Sequence, residues 1–314
     1  MNRKVYQRIK TIVAPHIHHT PVVASSILND TYGTNLLFKC ENFQKAGSFK
    51  IRGAVYAASA KLQRQDTNIL TGHSSGNFAQ ALARAAGIFH KEAILIMPRN
   101  APKVKVDAVR TYGATIIQSE NSPADREEMM ANYLLENPGA IFIHPSDDLD
   151  MIHGNATVAG EFLESHPVLD KIIVPVGGGG LLAGTGLAAS LLSENTKVFG
   201  AEPKGADDAR QSFYSGKIVP SKHPSTIADG LRTQLGKINF PIILETVHDI
   251  LTVSDEEIIT AMKDVYQYLK IVIEPSAAVP LAVVRKYPDI FANQNIGIIV
   301  SGGNVDLRTL RDIF

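Results

Sequence analysis

The sequence lacks tryptophan and contains one cysteine, Cys40. A single cysteine excludes an intramolecular disulfide and a cysteine-rich metal site, and it favours a reducing compartment. The chain also lacks net charge, because 31 Lys and Arg residues balance 31 Asp and Glu residues. It therefore gives no electrostatic reason to expect nucleic acid or a membrane surface as a partner. The N-terminal stretch has no apolar run long enough for a signal peptide, and no later window approaches the length of a membrane span, so we expect a cytoplasmic protein.

Short β-branched segments that end in glycine-rich turns recur along the 314 residues, and stretches with helical periodicity follow them. This alternation predicts an α/β fold built on parallel sheets. The runs "KIIVPV" (171–176) and "IGIIV" (296–300) are continuously apolar, which is typical of strands covered on both faces. Residues 69–145 hold a self-contained series of such units and could form a smaller inserted domain.

Four consecutive glycines, Gly177–Gly180, follow one of these strands and precede an apolar helix. Backbone N–H groups of successive glycines can point into one concavity, and a helix N-terminus adds positive potential, so phosphate is a natural ligand. The spacing matches neither a dinucleotide fingerprint nor a P-loop. A tight turn that merely permits close packing is the alternative, but four glycines exceed what a turn needs.

Two further polar turns follow strands at "HSSGNFAQ" (73–80) and "SGGN" (301–304). Serine and asparagine at the start of a helix commonly act as caps, so either turn alone could be purely structural. However, open α/β sheets bind ligands at the carboxyl ends of their strands. Convergence of three such turns on one edge therefore favours a ligand site.

Lys50 lies within "ENFQKAGSFKIRGA" (41–54). A lysine becomes a nucleophile when burial or neighbouring cations lower its pKa, and pyridoxal phosphate is a typical aldehyde partner. The glycine turn and the polar turns would supply the contacts that such a cofactor needs. Because most lysines are solvated surface cations, the local sequence alone leaves both interpretations open.

Seven segments together resemble the fold-type II pyridoxal-phosphate enzymes, in particular the serine racemase and serine/threonine dehydratase group. The resemblance implies two doubly wound three-layer αβα domains with mostly parallel sheets. Residues 1–68 and 146–314 would form the large cofactor-binding domain, and residues 69–145 the small inserted one. The matching segments are "ENFQKAGSFKIRGA", "HSSGNFAQAL", "VPVGGGGLLAG", "AEPKGADDARQS", "TIADGL", "IEPSAA" and "VSGGNVDL".

The resemblance also implies roles for individual residues around pyridoxal 5'-phosphate. Lys50 would bond covalently to the cofactor, Asn77 would bind its ring hydroxyl and Ser301 would face its pyridine nitrogen. A serine facing the nitrogen makes the cofactor a weaker electron sink than a carboxylate would. Backbone N–H groups would hold the phosphate at Gly177, Gly178, Gly179, Gly180 and Leu181.

The implied substrate is an amino acid with a β-hydroxyl group, whose carboxylate Ser74, Gly76 and Asn77 would hold. Removal of the Cα proton by Lys50 and loss of the hydroxyl would give a keto acid and ammonia, whereas racemisation needs an acid/base on the opposite face. Dedicated dehydratases of the group commonly have S-A-G-N in this turn and racemases have S-S-G-N. Ser75 therefore favours a serine racemase with accompanying dehydration of serine and threonine.

Two alternatives remain open. The chain could be a catabolic dehydratase for threonine, serine or threo-3-hydroxyaspartate with little racemase activity. It could also be a non-catalytic protein that senses an anion or another ligand and keeps the glycine turns without the chemistry.

The segment "AEPKGADDA" (201–209) resembles the metal site of the racemases. Glu202 and Asp208 would give carboxylate oxygens, and Ala206 a backbone carbonyl, to Mg²⁺ or to Ca²⁺ or Mn²⁺ in its place. The alternative is an acidic surface loop.

The resemblance also implies a homodimer, with ATP bound between subunits as an activator. Two departures weaken the nucleotide prediction, because Ala46 replaces a threonine and Gln7 stands where an acid is usual. The matching positions are Ser25, Ser26, Ile27, Lys45, Gln80, Tyr112, Lys270 and Asn304.

Overall fold

A computed structural model describes residues 1–314, except for the side chain of Pro123. The strands are β1 (Val22–Val23), β2 (Asn35–Cys40), β3 (Ile69–His73), β4 (Glu92–Pro98), β5 (Thr115–Ser119), β6 (Ile141–Phe142), β7 (Lys171–Pro175), β8 (Lys197–Pro203), β9 (Asp249–Val253) and β10 (Asn295–Val300). The α-helices are α1 (Arg3–Val13), α2 (Ser26–Tyr32), α3 (Lys50–Leu62), α4 (Asn77–Ile88), α5 (Lys103–Thr111), α6 (Pro123–Glu136), α7 (Leu149–Ser165), α8 (Gly180–Leu192), α9 (Asp208–Ser215), α10 (Asn239–Thr246), α11 (Asp255–Asp264), α12 (Pro275–Lys286), α13 (Pro288–Phe291) and α14 (Leu307–Ile313). Single turns of 3-10 helix include Lys45–Gly47, Lys204–Ala206 and Asp229–Leu231, and a π-helical turn covers Val265–Leu269.

The larger sheet has the strand order β1-β2-β10-β7-β8-β9. Only β1 runs antiparallel to its neighbour in this sheet as described. Every residue of β7 is buried, as expected for a strand covered on both faces. Large apolar clusters fill the space against the helices, one around β10 and α12 and another around β7 and α8. The predicted α/β class with mostly parallel sheets is confirmed.

The smaller sheet has the order β5-β4-β3-β6, and its strands are parallel throughout. All four strands lie between residues 69 and 142. Its apolar core also includes Ile51, Ala54 and Val55 from α3 and Met151 from α7. The packing under this sheet thus uses side chains from outside residues 69–145, and the exact division of the chain into domains stays a prediction.

A reversal of strand order lies beside β7 in the larger sheet. The chain continues from β7 to β8 and β9 on one side, whereas β10 pairs with the other side of β7. In open α/β sheets such a reversal leaves a crevice at the carboxyl ends of the strands. The glycine run follows β7 and Ser301 follows β10, so both lie at this crevice.

Close packing of α7 on α8 fixes the position of the turn that precedes α8. A Cβ atom on Gly184 of α8 would lie 2.7 Å from the Ile152 carbonyl oxygen and 2.9 Å from the Ala156 nitrogen. Only glycine permits this approach of the two helix backbones. Among the helices described, none has the length and apolar character needed to cross a membrane.

Candidate active site

A cavity of about 590 Å³ lies where the strand ends of the two sheets face each other. It is lined by every residue that the sequence predicted for catalysis, cofactor binding and substrate binding: Lys50, Ser74, Ser75, Gly76, Asn77, Gly177, Gly178, Gly179, Gly180, Leu181 and Ser301. The structure therefore brings these residues together, while their individual roles stay predictions.

The glycine run Gly177–Gly180 forms a concave turn without side chains at the start of α8, which we call the glycine cup. Gly179 has a φ of +80°, a conformation that favours glycine. A Cβ atom on Gly178 would lie 2.3 Å from Ser146 Oγ, and one on Gly180 would lie 2.8 Å from the Ser146 carbonyl oxygen. Asn239 donates from Nδ2 to the Gly178 carbonyl oxygen at 2.8 Å and so holds the turn in place. Without side chains, the N–H groups of the cup are free to approach a phosphate.

Lys50 begins α3 and points into the cavity. Its Nζ donates a hydrogen bond to the Pro145 carbonyl oxygen at 2.7 Å and lies 5.1 Å from the centre of the Phe49 ring. Burial lowers the pKa of Lys50 to about 8, although the charge of Glu274 opposes this shift. With this pKa about a tenth of the amine is neutral at pH 7 and about half at pH 8, and the neutral amine is the form that acts as a nucleophile or a base.

A buried ion-pair network anchors the helix that carries Lys50. Arg52 pairs with Glu41 at 2.8 Å and with Glu161 of α7 at 2.8 Å. Lys39 of β2 binds the same Glu161 at 2.9 Å. The two cations balance the two carboxylates, so no charge of the network is left uncompensated in the interior. The network ties the first turn of α3 to β2 and α7.

The turn between β3 and α4 carries the predicted substrate contacts. Ser74 Oγ accepts a hydrogen bond from the Gly76 N–H at 3.0 Å, which shapes the turn. Asn77 begins α4, so the N-terminus of that helix opens toward the cavity. The Ser75 hydroxyl lines the cavity and makes no hydrogen bond to any residue described. An anionic carboxylate suits this helix N-terminus.

Three charged residues that sequence reasoning missed lie beside this turn. Lys105 Nζ is 2.7 Å from Asp229 Oδ2 and 3.7 Å from Glu274 Oε2. Asn77 donates from Nδ2 to Glu274 Oε1 at 2.7 Å. Asp229 and Glu274 belong to the segments "TIADGL" and "IEPSAA", to whose acids the resemblance assigns no role. Lys105 precedes the buried Val109 by four residues and so lies on the buried face of α5, which is a signal that could have marked it.

These buried charges shift one another's pKa values. Burial raises the pKa of Glu274 to about 7, with Lys105 opposing the shift and Asp229 adding to it. Burial alone would lower the pKa of Lys105, but Glu274 and Asp229 outweigh it and raise that pKa. Lys105 is therefore a cation, and Glu274 is a carboxyl group that can exchange a proton near neutral pH.

The predicted metal residues lie together at the end of β8 and the start of α9. Both oxygens of Asp208 are buried and accept no hydrogen bond of good geometry from the residues described. Burial raises the pKa of this carboxyl to about 6, although the nearby Ser221 hydroxyl and Leu235 N–H oppose the shift. Glu202 accepts hydrogen bonds from the Ala209 and Arg210 N–H groups at 2.9 Å each. Ala206 ends the 3-10 turn between them. No cluster of three or more His, Cys, Asp or Glu side chains exists in the described part of the chain, so a cation here would also need carbonyl oxygens or water.

The predicted nucleotide residues lie outside the cavity wall. Asn304 contacts a residue of that wall, because its Nδ2 donates to Asn77 Oδ1 at 3.0 Å and also to the Ala46 carbonyl oxygen at 2.9 Å. Ser25 Oγ caps α2 by accepting from the Leu28 N–H at 3.4 Å. The remaining positions lie in α2, in the turn Lys45–Gly47, in α4, directly after α5 and directly after the π-helical turn: Ser26, Ile27, Lys45, Gln80, Tyr112 and Lys270.

Comparison with known proteins gives consistent matches over nearly the whole chain. A family model described as "Pyridoxal-phosphate dependent enzyme" matches residues 13–302. The chain is 44% identical to serine racemase of Arabidopsis thaliana, over 99% of this chain and 94% of that protein. It is 44% identical to beta-hydroxyaspartate dehydratase of Paracoccus denitrificans, over 97% of this chain and 95% of that protein. The structure of maize serine racemase superposes with a TM-score of 0.93 at 42% identity, covering 99% of this chain and 96% of that one.

Proposed function

Because the chain belongs to the pyridoxal-phosphate-dependent enzyme family, we propose that it racemises serine and also dehydrates serine and threonine. The observation that carries this proposal is that Lys50 and Ser75 line the same cavity. Lys50 begins α3, after β2 of the larger sheet, and Ser75 lies in the turn after β3 of the smaller sheet. Racemisation requires a group on each side of the substrate, since the Cα proton leaves from one face and returns to the other. Lys50 and Ser75 have the chemistry for these two positions.

The residues of the cavity fit pyridoxal 5'-phosphate. The glycine cup leaves no room for side chains at Gly178 and Gly180, and Lys50 has a lowered pKa. When bound, this cofactor draws electrons away from the Cα atom of an amino acid and makes its proton acidic. Gly177–Gly180 and Leu181 would bind the phosphate, Asn77 the ring hydroxyl and Ser301 the pyridine nitrogen.

The protein's own residues then move the protons. The turn from Ser74 to Asn77 holds the substrate carboxylate at the N-terminus of α4. Lys50 removes the Cα proton, and Ser75 returns a proton on the opposite face to give the other enantiomer. In elimination the β-hydroxyl takes up a proton and leaves as water. The enamine that remains shifts a proton from nitrogen to Cβ and becomes an imine. The imine adds water and yields ammonia with pyruvate from serine, or with 2-oxobutanoate from threonine.

A dehydratase with little racemase activity is the second candidate. The similarity to a beta-hydroxyaspartate dehydratase at 44% identity favours it. The two candidates differ in the fate of L-serine, because only a racemase releases D-serine in amounts comparable to pyruvate.

We propose Mg²⁺, or Ca²⁺ or Mn²⁺, as a ligand of Glu202, Asp208 and the Ala206 carbonyl. Support comes from the buried, unpartnered oxygens of Asp208. A buried carboxylate without a partner is costly unless a cation compensates its charge. The site lies beside α9, so we expect the cation to stabilise the fold rather than to react.

We further propose that the protein forms a homodimer and that ATP activates it. Several exposed apolar side chains near the nucleotide residues support a partner surface: Phe43, Tyr266, Val272 and Phe314. Asn42 donates to the Val272 carbonyl oxygen at 3.2 Å, and the rings of Tyr266 and Phe314 lie 6.1 Å apart. Asn304 supports a link from the nucleotide to the cavity through its hydrogen bond to Asn77. If Mg-ATP did not raise the melting temperature of the protein, the proposal that ATP binds to it would be contradicted.

A chiral assay tests the main proposal. D-serine, pyruvate and 2-oxobutanoate are quantified from L-serine and L-threonine for the wild type and for Lys50→Ala, Ser75→Ala and Ser74→Ala. We expect Lys50→Ala to abolish all products and Ser75→Ala to reduce D-serine formation about 100-fold or more, while pyruvate formation persists. Ser74→Ala is the matched control and should lower both activities together, because it acts on the carboxylate. Equal loss of both activities in Ser75→Ala would contradict a face-specific acid, and negligible D-serine from the wild type would favour the dehydratase.

A further inference from the structure

A short segment links the smaller sheet to α7 and touches both Lys50 and the glycine cup. Residues 144–148, which we call the connector, lie between β6 and α7. The Pro145 carbonyl oxygen accepts the hydrogen bond from Lys50 Nζ at 2.7 Å. The next residue, Ser146, is buried against the cup, because a Cβ atom on Gly178 would lie 2.3 Å from its Oγ. The position of the connector therefore sets both the partner of the lysine and the floor of the cup.

Hydrogen bonds from two helices fix the far end of the connector. Asp147 Oδ1 accepts from the Ile238 and Asn239 N–H groups at 2.8 and 3.1 Å, at the start of α10. Asp148 Oδ1 caps α7 by accepting from the Asp150 N–H at 2.9 Å. These bonds use the side chains of the last two connector residues, so the first part of the connector needs another support.

His144 supplies this support through one ring nitrogen. Its Nδ1 accepts hydrogen bonds from the Asp147 N–H at 2.7 Å and from the Ser146 N–H at 3.2 Å. Neither N–H group has another acceptor among the residues described. Because Nδ1 accepts, the neutral ring carries its proton on Nε2. A second proton would go to Nδ1, where it would face the two N–H groups and break both hydrogen bonds.

The surroundings of His144 keep its ring neutral near neutral pH. Burial lowers the pKa of His144, and the charge of Lys50 adds to this shift. The acids of the connector itself, Asp147 and Asp148, oppose the shift without reversing it. The ring lines the cavity and is only partly buried, so a proton from solvent can reach it as the pH falls.

A second histidine of the cavity wall lies beside His144 and differs from it in one respect. The ring of His73 in β3 meets the His144 ring edge-on, with the ring centroids 5.6 Å apart. Burial, with contributions from His144 and from Arg126 of α6, lowers the pKa of His73 to about 4. Its ring therefore stays neutral at about pH 5.5 and above, and it serves as a control for titration of His144.

We propose that the neutral ring of His144 is a positioning residue for the cofactor, because it holds the connector against the glycine cup and presents the Pro145 carbonyl to Lys50. Uptake of a proton by this ring releases the connector and weakens cofactor binding. The held connector lowers the pKa of His144 from 6.5, so its contribution is complete well above that pH and is lost as the pH falls below it. The proposal rests on the cofactor site proposed above and names what retains the cofactor there.

Equilibrium dialysis of the holoenzyme tests the proposal by measuring the Kd of pyridoxal 5'-phosphate at about pH 8 and about pH 5.5. We expect His144→Leu to raise the Kd at least about 10-fold at the higher pH, as for loss of a buried hydrogen-bond acceptor. His144→Asn keeps an acceptor on Cγ that takes up no proton. Its Kd should equal that of the wild type at the higher pH and be about 5- to 10-fold lower than that of the wild type at the lower pH. His73→Asn is the matched control and should follow the wild type at both.

Comparison of variants at one pH cancels the titration of Lys50 and of the cofactor phosphate, which all of them share. If His144→Leu is too unstable to purify, the pH response of His144→Asn decides. A wild-type pH response in His144→Asn, or an unchanged Kd in His144→Leu, would overturn the role of His144.

Pyridoxamine 5'-phosphate separates the two contacts of the connector, because this compound cannot bond covalently to Lys50. We expect His144→Leu to weaken its binding as well, since the glycine cup is affected. A loss confined to pyridoxal 5'-phosphate would overturn the part of the proposal that concerns the cup. If the wild type bound pyridoxal 5'-phosphate at neither pH, the proposed function itself would be overturned.

Discussion

Lys105 of α5 and Asp229 form an ion pair across the cavity, with Nζ 2.7 Å from Oδ2. Lys105 follows a strand of the smaller sheet, whereas Asp229 lies on a turn beside the larger sheet. The same lysine passes close to the substrate turn, because a Cβ atom on Gly76 would lie 2.4 Å from Lys105 Cδ. The ion pair therefore holds the turn from Ser74 to Asn77 over the cofactor cavity.

Replacement of Lys105 by methionine should destabilise the protein by about 3 kcal/mol, because it leaves Glu274 and Asp229 without their buried cation. We also expect a higher KM for the amino acid, since the substrate turn loses its support. Urea unfolding and steady-state kinetics measure the two effects. Lys103→Met is the matched control on the same helix, where the side chain is 86% exposed and its pair with Asp107 contributes little. Equal unfolding midpoints for the two variants would contradict this role of Lys105.

The parallel sheets and the cofactor turns could be predicted from the sequence because both leave local signals. Continuous apolar runs marked β7 and β10, and four successive glycines marked the cup before α8. The sequence around Lys105 and around Glu274 indicates little about their place in the cavity, because that place depends on contacts between segments far apart in the chain. Lys105 and Asp229 are 124 residues apart in the chain.

Mg²⁺ should stabilise the protein in a pH-dependent manner through Asp208. Burial raises the pKa of this carboxyl from 3.8 to about 6 in the metal-free protein. The folded state therefore binds the proton more tightly, and this contribution to the free energy of unfolding is lost as the pH rises through about 6. A cation replaces the lost proton, so thermal stabilisation by Mg²⁺ should be larger at about pH 8 than at about pH 5.

The size of the stabilisation follows from mass action and should reach about 2.7 kcal/mol when Mg²⁺ is present at about 100 times its Kd. Asp208→Asn should abolish the response to Mg²⁺. Asp207→Asn is the control, because Asp207 binds Gln211 Nε2 at 2.7 Å and does not belong to the proposed ligand set. If Asp208→Asn responded to Mg²⁺ as Asp207→Asn does, the cation would bind elsewhere.

Lys50 should react with aldehydes at a lower pH than the other lysines of the cofactor-free protein. Its pKa is lowered from 10.5 to about 8, mainly by burial, so the neutral amine becomes the major form above about pH 8. Reductive labelling followed by mass spectrometry should give a midpoint for Lys50 near pH 8, and exposed Lys103, followed in the same samples, is the internal reference. Glu274→Gln removes a charge that favours the ammonium form and should lower the midpoint further. A Lys50 midpoint equal to that of Lys103 would contradict a desolvated, nucleophilic lysine.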